Sequence, residues 1–197
     1  MSRKTRPPAR ALDARVRRTR DALGDALIEL MHEKPYAAIQ VQEVLARAEV
    51  GRATFYAHFS DKDDLFQSDA DDFFALMAGH LSRNQEPSRR LVPVREFLEH
   101  LQEAHAFVDA LAASGKLHDV WALGRAHFAR GIEQRLRELC PARRWSAAER
   151  ALSAQGLAGA FLAQLDWWRA NGMPLTPAKM DEHFHALAWR GLEDPGV

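Results

Sequence analysis

Apolar positions along this chain recur every three to four residues and nowhere sustain strict alternation, so the pattern predicts helices throughout. Leu23, Leu27, Leu30 and Met31 share one face of a helix over 15–33, which Lys34-Pro35 stops. Val41, Val44, Leu45 and Ala48 make one stripe of a short helix over 41–48. A break at Glu49-Val50-Gly51 separates it from another short helix over 52–59, with Phe55 and Phe59 on its inner face. Ser60 or Asp61 caps the next helix, over 61–83, whose first turn carries acids that suit the positive end of a helix dipole. Another helix starts near residue 93 and carries Phe97, Leu98, Leu101, Ala104 and Val108. The last three span 119–139, 146–170 behind a Ser146/Glu149 capping box, and 177–191 behind Thr176. Prolines fall between these segments or in their first turns, as their missing N–H requires. The expected fold class is all-α.

Composition narrows the function. With 47% hydrophobic and 27% charged residues in 197, the chain is neither disordered nor low-complexity. No stretch approaches the roughly 20 apolar residues of a membrane helix. The polar, Arg-rich start does not read as a secretory signal, and the single Cys140 excludes an intramolecular disulfide, so the expected location is cytoplasmic. Net charge is zero but unevenly spread. Residues 1–62 hold 12 Lys and Arg against 8 Asp and Glu, while residues 63–197 hold 15 against 19. The first twenty residues hold eight basic side chains and one acid, which suggests a polyanionic partner, although a solvated basic tail would look the same.

Two short helices with a tight turn between them, behind a longer packing helix, outline a helix-turn-helix module whose second short helix enters the DNA major groove. With Phe55 and Phe59 turned inward, Arg52, Thr54, Tyr56, Ala57 and His58 are left outside. Arginine can read guanine with two hydrogen bonds, while Thr, Tyr and His can bind phosphate oxygens. The segment 44–66, VLARAEVGRATFYAHFSDKDDLF, resembles the N-terminal signature of the tetracycline-repressor (TetR) family of transcription regulators. The likeness lies in the apolar stripe, the A-x-V turn, the T-F-Y-x-H-F helix, and Lys62 and Leu65 at the opening of the next helix. At the motif level it covers about residues 17–66.

The resemblance implies that Tyr56, His58 and Lys62 lie against the DNA backbone, that Thr54 lies at the groove, and that Gln42 and Arg52 are candidates for base contact. The arm from Arg3 to Arg20 is expected to add phosphate or minor-groove contacts. The turn departs from the family's usual A-G-V-S at Glu49 and Gly51. Glu49 would be strained in a left-handed position, and Gly51 replaces a hydroxyl cap. The resemblance further implies a small-molecule pocket and a dimer interface in the C-terminal part. Pocket candidates are Phe97, Leu101, Phe107, Leu111, Trp121, Phe128, Phe161, Gln164 and Trp168, suited to an apolar or aromatic effector, although for any single one of them core filling is the better account. Interface candidates are Leu152, Gly156, Gly159, Ala163, Phe184, Leu187 and Trp189, on two helices expected to form a four-helix bundle between protomers.

The expected organisation is a flexible basic arm over 1–14, a helix-turn-helix domain over 15–62, and a ligand-binding and dimerisation domain over 63–197. The expected function is a dimeric, ligand-responsive regulator, most simply a repressor released from a palindromic operator. The competing reading is a helical small-molecule binding protein with weak or lost operator binding. No cofactor or metal is expected. The histidine pairs 100/105, 118/127 and 183/185 lack metal-binding spacing, and no nucleophile-elbow motif supports an enzyme.

Overall fold

In the computed structural model, residues 9–141 and 145–193 are described; the side chains of 9–14, 106, 107, 110 and 193 are not. The described residues form ten α-helices: α1 Ala9–Glu33, α2 Val41–Arg47, α3 Arg52–Tyr56, α4 Lys62–Ala78, α5 His80–Arg83, α6 Val94–Glu103, α7 His105–Ala113, α8 Leu117–Leu139, α9 Ala147–Ala170 and α10 Pro177–Glu193. A 3-10 turn, Tyr36–Ala38, follows α1. Among the described residues there is no strand, and no helix is long and apolar enough to cross a membrane.

Several ends differ from the sequence reading, each for a local reason. Helix α1 begins at Ala9, so residues 9–14 of the expected arm are helical, while residues 1–8 lie outside the described part. Helix α3 stops at Tyr56. His58 N–H then bonds back to Phe55 O at 2.8 Å, tightening the last turn while Phe59 still buries. The 61–83 helix is interrupted at Gly79 (φ −86°, ψ −1°), where the Arg83 guanidinium reaches back to the carbonyls of Ala75 and Leu76. The helix expected to continue through Val108 breaks at Ala104 (φ −94°, ψ 20°), giving α6 and α7.

The chain forms two compact units. Of the described residues, the first comprises those up to Asp69 together with Ala106–Gly115; the second comprises Ala70–His105 and those from Lys116 onward. In the first, Leu23, Leu27, Val44, Phe55 and Leu65 are almost fully enclosed. At Gly24 a Cβ would come within 2.6 Å of the Asp69 carboxylate, so glycine there permits close approach of α1 and α4.

The second unit is centred on aromatic rings. Phe97 meets Phe128 at 5.2 Å and Phe161 at 5.8 Å between centroids, and Phe128 meets Phe161 edge-on at 5.0 Å. Ser146 and Glu149 cap α9 reciprocally, as their spacing predicts. Buried Arg135 on α8 donates to three loop carbonyls, those of Glu86, Ser88 and Arg90, and pairs with Glu138 at 2.7 Å. That one side chain fixes the loop leading into α6.

Candidate nucleic-acid interface

The scaffold of the first unit is built by charged clamps on an apolar core. Glu43, three residues into α2, accepts from the N-cap Gln40 N–H at 2.9 Å and so caps the helix start. Arg47 pairs with Glu29 at 3.1 Å and Glu33 at 2.9 Å on α1, and Lys34 pairs with Glu43. Hydrogen bonds from Arg47 hold the Glu33 carboxyl below its usual range. These cations are spent on holding α2 against α1.

The opening of α4 is fixed as firmly. Asp61 Oδ1 accepts from Asp64 N–H at 2.8 Å, and Asp64 Oδ2 accepts from the N–H and hydroxyl of Ser60. Those Ser60 bonds hold the Asp64 carboxyl low. Tyr36 donates to Asp63 at 2.5 Å; burial, then that bond, pushes its phenol well above the ordinary range.

Glu49 sits in the turn at φ +54°, the left-handed conformation, so the strain anticipated for this residue is present. Gly51 is the N-cap of α3 at φ −71°, ψ 147°, with no side-chain cap bond and open space where a Cβ would stand. Nothing in its backbone or surroundings requires glycine.

On this frame Gln42, Arg52, Thr54, Tyr56 and Ala57 are exposed. Tyr56 is 48% exposed and packs edge-on against buried Phe55 at 5.2 Å. The Arg52 guanidinium lies 5.6 Å from the Tyr56 ring centroid, an i,i+4 cation–π pair that pre-sets its direction. His58 is half-buried, edge-on to Phe59. Lys62 is also half-buried and is more engaged than the motif implies. Its Nζ donates to Tyr36 O at 2.7 Å and Ile39 O at 2.8 Å and lies 4.5 Å from the Tyr36 ring centroid. Two of its three donors therefore cap the 3-10 turn.

The C-terminal candidates divide. Phe97, Phe128, Phe161 and Trp168 are enclosed in the second unit, the three phenylalanines in ring contact with one another; Trp168 Nε1 donates to Leu175 O at 2.7 Å. Leu101 is buried there too, whereas Leu111 groups with the first unit. The Phe107 side chain lies outside the described residues. Trp121 Nε1 and Gln164 Oε1 are buried with no hydrogen-bond partner among the described residues. Trp121 also lines a cleft of about 280 Å³ between α8 and α9, with Arg125 and Asp166 among its walls.

Of the interface candidates, Leu152 is 75% and Leu187 53% exposed, and Gly156 and Ala163 are exposed on the same face of α9. Gly159 is half-buried, with open space at its Cβ position. Phe184 is 1% exposed and packs on Phe161 of its own chain at 5.7 Å, which leaves it no free surface. Trp189 is engaged within its own chain, donating to Arg89 O at 2.7 Å under the Arg89 guanidinium.

His127 bonds Asp71 at 2.7 Å. His185 Nε2 accepts from Leu91 N–H at 2.9 Å, while its Nδ1 donates to Asp181 O, which specifies the neutral Nδ1–H tautomer.

Residues 23–68 match the family described as bacterial regulatory proteins, tetR family. Over 84 residues the chain is 33% identical to an uncharacterised HTH-type transcriptional regulator, YxbF, of Bacillus subtilis strain 168. That match takes in 42% of this chain and only 22% of the relative's length. In fold it is similar to a TetR transcriptional regulator from Streptococcus agalactiae 2603V (TM-score 0.59, 23% identity, covering 92% of this chain and 99% of that one). It is also similar to the dihydroxyacetone kinase operon activator DhaS (TM-score 0.65, 17% identity, covering 89% and 96%).

Proposed function

Because the chain belongs to the tetR family of bacterial regulatory proteins through the domain at residues 23–68, we propose that it is a dimeric, ligand-responsive regulator that binds an operator through α3. The observation that carries this reading is the exposed row Gln42, Arg52, Thr54 and Tyr56 on helices whose opposite faces are locked into a core. Arg52, held over Tyr56, reads a base edge, and Thr54, Tyr56 and His58 set register on phosphates. Lys62 contributes its remaining donor while bracing the 3-10 turn.

Dimerisation through α9 and α10 is supported by the exposed Leu152 and Leu187 beside open glycines. A two-fold dimer would present two α3 helices to a palindromic site. The effector is a small apolar or aromatic molecule; the buried unpaired Trp121 Nε1 favours one that also carries a hydrogen-bond acceptor. Helix α4 runs through both units and is the element through which effector binding shifts the DNA-competent population toward repressor release.

The test is fluorescence anisotropy with a duplex from upstream of the chain's own gene and a shuffled duplex of equal length. Arg52→Ala should lose discrimination between them, on the order of 1–3 kcal/mol. Tyr56→Phe should weaken both about equally. Equal binding to both duplexes by the unmodified protein, and to every fragment in a genome-wide selection, would sink the operator reading.

A further inference from the structure

Both walls of the cleft between α8 and α9 are built to stay apart. The two helices are joined by residues 140–146 and run antiparallel. Glu133 pairs with Arg150 at 3.6 Å, and Phe128 meets Phe161 further along. Continued, that register sets Arg125 across from Gly159 and His118 across from Asp166, so the cleft extends about 10 Å along the helix axes. On α8, His118, Trp121, Ala122 and Arg125 follow the i, i+3, i+4, i+7 spacing of one helix face. On α9, Gly159, Leu162, Ala163 and Asp166 do the same. Faces so matched close on each other when large apolar side chains interdigitate. Here Ala122, Gly159 and Ala163 carry at most one side-chain carbon each, and a Cβ at Gly159 would meet nothing.

The cleft has a chemical pattern along its length. Its floor is apolar, with Leu162 7% and Trp121 9% exposed. Its ends are oppositely charged: exposed Arg125 stands at one, and exposed Asp166, beside His118, at the other. Among the described residues neither Arg125 nor Asp166 has an ion-pair partner, although each lies within a side chain's reach of the same groove. The buried Trp121 Nε1 is a third unmatched group, a donor that is costly to leave unmet. Trp121 precedes Arg125 by one turn on the same face, so both belong to the cationic end. On its other side Trp121 backs onto Phe97 at 6.3 Å, which places the cleft outside the enclosed ring cluster.

We propose that this cleft is a binding site for a small elongated molecule with an apolar body and opposite charges at its two ends. Arg125 and the Trp121 indole N–H take its anionic group, of the carboxylate class, and Asp166 takes its cationic amine. The body lies on Leu162 between them. A purely apolar molecule leaves both charges and the indole donor unmatched, and a singly charged one satisfies only one end. The inference deepens the effector reading above by giving the ligand a place and a charge pattern. A second copy of the chain is the rival occupant, because Gly159 and Ala163 belong to the face proposed for dimerisation. The concave shape and the unmatched donor on its floor favour the small molecule.

The probe is 4-(aminomethyl)benzoate, with 4-methylbenzoate lacking the amine and 4-methylbenzylamine lacking the carboxylate. Each is titrated into the full chain while the indole N–H resonance of Trp121, identified by its loss in Trp121→Phe, is followed by NMR. The expected result is a saturable shift with the two-ended probe and binding weaker by about tenfold or more with either single-ended one. Arg125→Gln should erase the advantage conferred by the carboxylate, and Asp166→Asn that conferred by the amine. Ala122→Leu should fill the cleft and abolish binding, with circular dichroism and the other indole resonances unchanged. No shift of the Trp121 resonance with any probe at about 10 mM, far above the range of a specific site, overturns the proposal. So does equal binding of all three probes, or binding that survives Ala122→Leu. If no probe binds and Arg125→Gln or Asp166→Asn raises dimer dissociation in sedimentation, the occupant is a second copy and the proposal fails. Each of these outcomes leaves operator binding, read separately by anisotropy, untouched. A filled cleft that does not alter operator affinity upholds the site and overturns only its role in repressor release.

Discussion

Two adjacent turn residues show how narrowly backbone conformation decides a substitution's sign. Glu49 holds φ +54°, where a side chain costs about 1 kcal/mol that glycine does not. Glu49→Gly is therefore expected to raise the unfolding free energy by about 1 kcal/mol, read as a higher denaturant midpoint at unchanged slope. A lower midpoint would mean that the Glu49 side chain makes a compensating contact. Gly51 is the reverse case, an ordinary extended N-cap with open space around it. Gly51→Ser should add a few tenths of a kcal/mol by supplying the cap hydroxyl, and the same melts measure it. The sequence exposed both departures; only the backbone angles separate the strained residue from the merely uncapped one.

Between helices, the decisive contacts are glycines and one arginine. At Gly131 on α8 a Cβ would come 2.5 Å from the backbone carbonyl of Ala78, which cannot swing aside as a side chain can. Gly131→Ala is expected to cost about 1–3 kcal/mol, a drop in melting temperature that scanning calorimetry would register. Gly156 on α9 meets nothing at its Cβ position. Gly156→Ala should stabilise the isolated helix by up to about 1 kcal/mol. If α9 packs on a partner as proposed, the same change should weaken the dimer, and sedimentation over a dilution series shows which effect prevails. In the sequence these glycines look alike; the difference lies in what faces each one across space. The same holds for Arg135, an unremarkable helix position in sequence that proves to hold three loop carbonyls.

For the molecule as a whole, an ion cluster in the second unit sets the acid response. Arg90 binds Glu96 at 2.5 Å and Asp181 at 2.7 Å. Burial alone would raise the Glu96 carboxyl, but two hydrogen bonds from Arg90 and its charge outweigh that and bring it down to about 2. Asp181 is also held low: burial opposes ionisation, and the bonds from His185 and Arg90 more than reverse it. A carboxylate whose folded pKa is depressed stabilises the fold above its unfolded value. That stabilisation fades as pH falls from about 4.5 through 2, and for Glu96 it is on the order of 2 kcal/mol. Arg90→Gln should remove most of this acid-sensitive stability and lower the unfolding free energy at pH 7 by about 3–5 kcal/mol, because two half-buried carboxylates lose their partner. Chemical denaturation at pH 7 and pH 3 tests it; a variant with unchanged pH dependence would exonerate the cluster.

What was legible in the sequence was what depends on neighbours in the chain. Apolar residues at helical spacing, proline stops and the Ser146/Glu149 box located the main helices because each acts over three or four residues. The T-F-Y-x-H-F segment located the candidate DNA face because its few outward residues are adjacent in sequence. What depends on distant partners was decided only by tertiary structure. Whether Lys62 is free or braces a turn follows from Tyr36 and Ile39, more than twenty residues away. That Phe97, Phe128 and Phe161 meet one another, ring to ring, follows from the packing of three helices far apart in the chain. Phe184 lies on a helix that the family resemblance implies is an interface, yet its side chain is enclosed against Phe161 of its own chain. A helix has two faces, and periodicity reveals that a residue is buried without revealing which partner buries it.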